Sequence, residues 1–193
     1  MNKINSLSDL LMEELSDLLN AEDQLIDSLP RMAQASQSSG LKAVLEAHSI
    51  VSQEQAGRLR DIFVNSGQNP KGMVCKVMKE LIAECEGVIN QTEAGQARDI
   101  IIISIAQRME HYEITGYAIA HEHADDLGHS KIVDVVDKIL NEERTMHLRL
   151  SELAQGLINV QAIEPKGGGF YVPEGKFSRK SFKKKDKNPR GGI

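Results

Sequence analysis

Residues 101–120 read IIISIAQRMEHYEITGYAIA, and the fold turns on how the middle of this stretch is understood. Ile103, Ala106, Tyr117 and Ala120 recur at helical spacing and define one apolar stripe. Glu110 and Glu113 fall on the same stripe, where leucines would continue it. An unpaired carboxylate taken into an apolar core costs several kcal/mol, about 2–7 for a polar group and more for a charge, or it keeps its proton. The stretch therefore predicts a long core-facing helix with a deliberate polar interruption.

Outward from it, the same interruption repeats. A first helix, capped by Ser6 or Ser8, carries Leu11, Leu15, Leu18, Leu25, Leu29 and Met32 on one face, with Glu22 in the middle and Pro30 late as a candidate kink. SQSSG (36–40) is a turn. A second helix, about 41–63, has a stripe through Leu41, Val44/Leu45, His48, Val51/Ser52, Gln55, Leu59 and Ile62. NSGQNPKG (65–72) breaks it, and a shorter amphipathic helix through Val74, Val77, Met78, Leu81, Ile82, Cys85 and Ile89 reads as a crossover. The third long helix starts near Ala97. DDLGHS (125–130) ends it, with Gly128 placed to take the left-handed position after a helix. The fourth carries Ile132, Val135/Val136, Ile139, Glu143, His147, Leu150 and Leu153, and fades by about Val160. Four long helices and one short crossover predict an all-α four-helix bundle over residues 1–163.

Composition agrees and narrows the function classes. Aromatics are 4% of the 193 residues, with no Trp and 5 Pro, so helix is favoured over sheet. The apolar run IIISIA is too short to span a bilayer, and MNKINSLSDLL is no signal peptide, so no membrane role is expected. Cys75 and Cys85, ten apart in one helical segment, read as reduced thiols of a cytoplasmic protein. Residues 164–193 form a separate Gly/Lys-rich segment. From 165 onward it has nine Lys/Arg against two acids, so about +7 of a net −5 lies there and about −12 on the bundle. Such an extended basic tail suits an anionic partner: nucleic acid, an acidic surface or a neighbouring subunit.

Four carboxylates and a histidine on core stripes of separate helices need a common cause, and a pair of divalent cations supplies one. Glu110 and Glu113 are three apart, Glu143 and His147 four apart, so each pair projects from one helix face. Hard oxygens with an imidazole favour Fe or Mn, with Zn less excluded. Tyr117, seven residues after Glu110, is placed to hydrogen-bond a ligand. His111, His121, His123 and His129 lie off the stripes and read as surface residues. His48 and Gln55 complete the candidate metal set Glu22, Glu110, Glu113, Glu143, His147, His48 and Gln55. His48 also reads as a hydrogen-bonded core residue. It and Gln55 are about 10.5 Å apart along the axis, too far for one ion to take both.

The segments NAEDQL (20–25), RMEHYEITGY (108–117) and LGHSKIVDVVDKILNEERTMHLRLSELA (127–154) resemble, in order, the YciF/YciE family of ferritin-like proteins. The resemblance covers about residues 6–160. It implies a ferritin-like bundle, a homodimer or larger homo-oligomer, a stress-associated role, a di-iron or di-manganese site and manganese-catalase-like activity on peroxide. On the broader rubrerythrin-like pattern, Glu22 resembles the first-helix Glu, Glu110 and Glu113 the third-helix ExxE, and Glu143 and His147 the last-helix Glu and His. The second helix departs: where the family usually reads HLEET, this chain reads HSIVS (48–52), with Val51 at the acidic position and no ExxH. The resemblance therefore implies two ions, with the second position incomplete. The alternative reading is a non-catalytic structural or binding protein with a degenerate site. Iron storage would need a closed shell of many subunits, which no feature of the sequence reports.

Overall fold

The computed structural model describes residues 4–70 and 74–157; the basic segment 164–193 lies outside them. Among the described residues there are five helices: α1 (Leu7–Ala35), α2 (Ser39–Asn65), α3 (Lys76–Gln91), α4 (Gln96–Asp126) and α5 (Ser130–Leu157). α1 packs on α2 and α4, α4 on α5, and α5 on α2, closing a four-helix bundle; α3 crosses outside against α1 and α4.

Local chemistry sets the ends. Ser6 caps α1 by accepting the Asp9 N–H at 3.1 Å, while the Asp9 carboxylate accepts the Asn5 N–H at 3.0 Å. Ser38 caps α2 through the Leu41 N–H. The α1–α2 turn is also held from across the bundle: the buried Asp99 carboxylate of α4 accepts the N–H groups of Gln37 and Ser38, both at 2.8 Å. At the end of α4, Gly128 takes φ +70°, and the N–H groups of Gly128 and His129 return to the carbonyls of Asp125 and Ala124. This is the left-handed glycine stop expected from DDLGHS.

Pro30 stays inside α1. A proline has no N–H to give, so the carbonyl of Ile26, four residues back, loses its helical partner. Ser49 of α2 donates to that carbonyl at 3.4 Å. The crossover is tied down by polar contacts from α1. Asn20 Oδ1 accepts the Cys75 N–H at 2.7 Å, and Gln24 Nε2 donates to the Cys75 carbonyl at 3.0 Å. Both cysteines are free thiols, and both are buried.

The apolar core falls into two clusters. One gathers Leu25, Leu29 and Met32 with Leu41, Leu45, Ile102, Ile103, Ala106, Met109 and Leu150. The other gathers Leu11, Leu15 and Leu18 with Leu59, Phe63, Ala120, Val136 and Ile139. Every long helix passes from one to the other, and on each the residues between the clusters are the polar ones. Among the described residues no helix is long and apolar enough to cross a membrane.

Candidate metal centre

The polar layer between the two clusters comprises Glu22 of α1, His48, Ser52 and Gln55 of α2, Glu110 and Glu113 of α4, and Glu143 of α5, all buried. Each is there because its helix continues an apolar stripe through that level; the stripe leaves the side chain no route to solvent.

His48 lies at the centre. Its Nδ1 is 3.1 Å from Glu110 Oε1, and its Nε2 is 3.9 Å from Glu143 Oε2. His48, Glu113 and Glu143 each offer one ligand atom, all within 4.8 Å of one another. The Tyr117 hydroxyl donates to Glu22 Oε1 at 2.5 Å. Gln55 Nε2 donates to Glu143 Oε1 and also reaches Glu142 Oε2 at 3.2 Å. Gln55 and His48 thus address Glu143 from two sides, as their axial separation requires.

Ten buried atoms of this layer make no well-formed hydrogen bond among the described residues: Glu22 Oε2, both His48 nitrogens, Ser52 Oγ, Gln55 Oε1, both oxygens of Glu110, both of Glu113, and Glu143 Oε2. Buried polar atoms are ordinarily satisfied, so a concentration of this kind makes this level a candidate metal site. The donor set, carboxylate oxygens with one imidazole, fits a divalent transition metal.

Electrostatics point the same way. Burial, followed by repulsion from neighbouring carboxylates, holds Glu22, Glu110 and Glu113 well above the usual range. Burial also lifts Glu143, to about 7, against the opposing influence of Glu110 and Gln55. Burial pushes His48 down to about 4, so at neutral pH it is an uncharged imidazole with a free lone pair. Without a cation the acids keep protons. With one they release them.

Six of the seven sequence-predicted residues meet in this layer. The seventh, His147, does not join the His48–Glu113–Glu143 group. It is half-buried and packs on the exposed His111, ring centroids 4.3 Å apart. Its Nδ1 is nonetheless buried and has no hydrogen-bond partner among the described residues. The histidine in the group is His48, which the sequence also allowed as an ordinary core residue. Tyr117 hydrogen-bonds Glu22, one of the candidate ligands. Sequence reasoning missed Arg58 and Glu142, which pair beside Gln55. Both look like ordinary exposed helix residues in the sequence, and only the packing of α2 on α5 joins them.

The domain of unknown function DUF892 matches residues 6–163. Protein YciF of Escherichia coli (strain K12) is 34% identical over 161 residues, covering 82% of this chain and 96% of that protein. The crystal structure of the E. coli stress protein YciF superposes with a TM-score of 0.78 at 32% identity, covering 81% of this chain and 99% of the other. YcfI from Rhodopseudomonas palustris, described as a candidate structural protein, gives 0.75 at 33% identity over 78% and 96%. A ferritin-like, diiron-carboxylate protein from Bacillus anthracis gives 0.62 at 19% identity over 78% and 99%, a likeness of fold.

Proposed function

We propose that this chain, which belongs to the DUF892 family, holds Mn or Fe in its buried carboxylate–histidine layer and uses it to disproportionate peroxide. The observation that carries the reading is the set of ten unpartnered polar atoms, drawn from four helices, inside an otherwise apolar core. A bound redox-active ion supplies electron exchange with peroxide by cycling between oxidation states.

The chain's own residues would do the rest. His48, Glu113 and Glu143 would hold the first ion. Glu22 and Glu110 would offer their unpartnered oxygens toward a second, with Val51 where the family resemblance expects an acid. The Tyr117 hydroxyl fixes the orientation of Glu22. The carboxyls, whose protons burial favours in the metal-free layer, would give them up to a cation and balance its charge. The two apolar clusters on either side keep bulk water out, so each of these interactions is stronger than at a surface.

The test is elemental analysis after loading with Mn(II) or Fe(II) and desalting, followed by oxygen release from hydrogen peroxide. Retained metal with oxygen release, both lost in Glu113→Gln, is the expected result. Failure to retain either ion overturns the reading. Retained metal with no oxygen release favours a second reading, a structural or binding protein, supported by the description of the YcfI relative. In that case the basic segment 164–193 would contact nucleic acid, an anionic surface or a partner subunit, visible as salt-sensitive binding. In either reading we take the chain as cytoplasmic and as a homodimer or larger homo-oligomer, which light scattering checks.

A further inference from the structure

A layer sealed by apolar clusters still has to be reached, and one side of the bundle differs from the others. Along the seam between α2 and α5 lies a surface groove of about 570 Å³, lined by Val51, Glu54, Asp134, Asp137, Glu142 and Met146 among others. Its titratable lining is four acids (Glu54, Asp134, Asp137, Glu142) against two bases (Lys138, Arg149). The Arg58 guanidinium holds Glu142 through both of its oxygens, with NH1 at 3.1 Å from Oε1. Lys138 Nζ stands 4.0 Å from Glu142 Oε1.

An acidic groove alone signifies little, but this one is linked to the buried layer. The Gln55 amide nitrogen contacts Glu142 in the groove wall and Glu143 in the layer, so one side chain spans surface and interior. Gln55 is fully buried, and its Oε1 has no partner among the described residues. The amide nitrogen occupies the place between the two carboxylates, and a half-turn of the amide would put the unpartnered oxygen there instead, toward a cation. Val51, at the adjacent turn of α2 and in the groove wall, leaves the approach free of a competing acid.

We propose that this seam is the cation port of the buried layer: Glu142 captures a divalent ion by releasing Arg58, and Gln55 passes it to Glu143. Glu142 is a capture residue and Arg58 its latch; neither holds the ion at its final position. The proposal rests on the layer being a metal site. It predicts opposite effects for two residues that form one ion pair. Glu142→Gln removes the capturing charge and slows uptake, by about tenfold given the scale of electrostatic steering. Arg58→Gln unlatches Glu142 and speeds uptake severalfold. Equilibrium affinity changes by less than about threefold in both.

The experiment follows Co(II) uptake by the full chain through the visible absorbance of the bound ion, with stopped-flow rates and a separate equilibrium titration. Glu142→Asp should recover most of the lost rate. Arg108→Gln, which removes a cation from the exposed pair with Glu84 on another face, should leave the rate near wild type and so corrects for the general effect of charge. Slow, fast, recovered and unchanged rates in that order support the port. Equal uptake rates in wild type and Glu142→Gln overturn it while leaving the metal site standing. Affinity falling in step with rate makes Glu142 a ligand rather than a port, and overturns it too. No uptake by the wild type removes both the port and the metal site.

Discussion

Replacing Glu143 by glutamine should stabilise the metal-free protein and weaken the loaded one. The folded chain holds Glu143 at about 7, through burial, against about 4.5 when unfolded. A carboxyl raised in this way favours folding only while it keeps its proton. Its contribution is intact below pH 4.5 and disappears as pH rises through 7. That gap corresponds to about 3 kcal/mol by pH 7 to 8. Glutamine has nothing to lose, and its side-chain oxygen can still accept the Gln55 N–H. The metal-free variant should therefore match wild type near pH 4.5 and exceed it by about 3 kcal/mol at pH 8, some 6–12 °C in Tm for a chain of this size. Metal reverses the sign. A hundredfold excess over Kd adds about 2.7 kcal/mol to a protein that binds only when folded, and a variant lacking a ligand forfeits most of that. Thermal melts by circular dichroism, from pH 4.5 to 8.5, chelated and Mn-loaded, give all four curves. A Glu143→Gln protein that melts below wild type at pH 8 without metal, and gains the same increment from Mn, would show that Glu143 is neither a charge cost nor a ligand.

His48→Ala should abolish retained metal in elemental analysis, whereas His147→Ala should keep it within about twofold; the reverse order would restore the ligand assignment suggested by the Glu143–His147 spacing. On the acid side, His48 is held at about 4 by burial against 6.5 unfolded, so its contribution is present above pH 6.5 and lost toward pH 4, by about 3 kcal/mol; in urea titrations the stability of chelated wild type relative to His48→Leu should fall by about that much over this window, the gain from the raised carboxyls being common to both. Gly116→Ala would bring a methyl to 2.8 Å from Leu18 Cδ2 and 2.9 Å from Glu14 Oε1 where α4 crosses α1, and should cost about 1–3 kcal/mol in urea unfolding without altering metal content. Asp99→Ala leaves the Gln37 and Ser38 N–H groups without their acceptor and should cost about 2–3 kcal/mol in the same assay, a smaller loss meaning that water replaces the carboxylate.

The helices were legible because each long one keeps an apolar stripe over several turns and ends in recognisable chemistry: Ser6 and Ser38 at starts, Gly128 at a stop. Burial of Glu22, Glu110, Glu113 and Glu143 was legible for the same reason, since a residue inside a stripe goes where the stripe goes. Pro30 reads as a candidate kink in the sequence. It became tolerable only because Ser49, on another helix, supplies a donor to the carbonyl it frees.

What the sequence determined by itself was periodic: which faces turn inward, and that polar atoms interrupt them at one level. What tertiary structure decided was which of those atoms converge. A step of three or four residues puts two side chains on one helix face, but the azimuth of that face against its neighbours is set by packing. So His48, rather than His147, reaches Glu113 and Glu143. His147 instead meets His111 toward the surface, and Arg58, Glu142 and Gln55 come together from two helices that no local pattern connects.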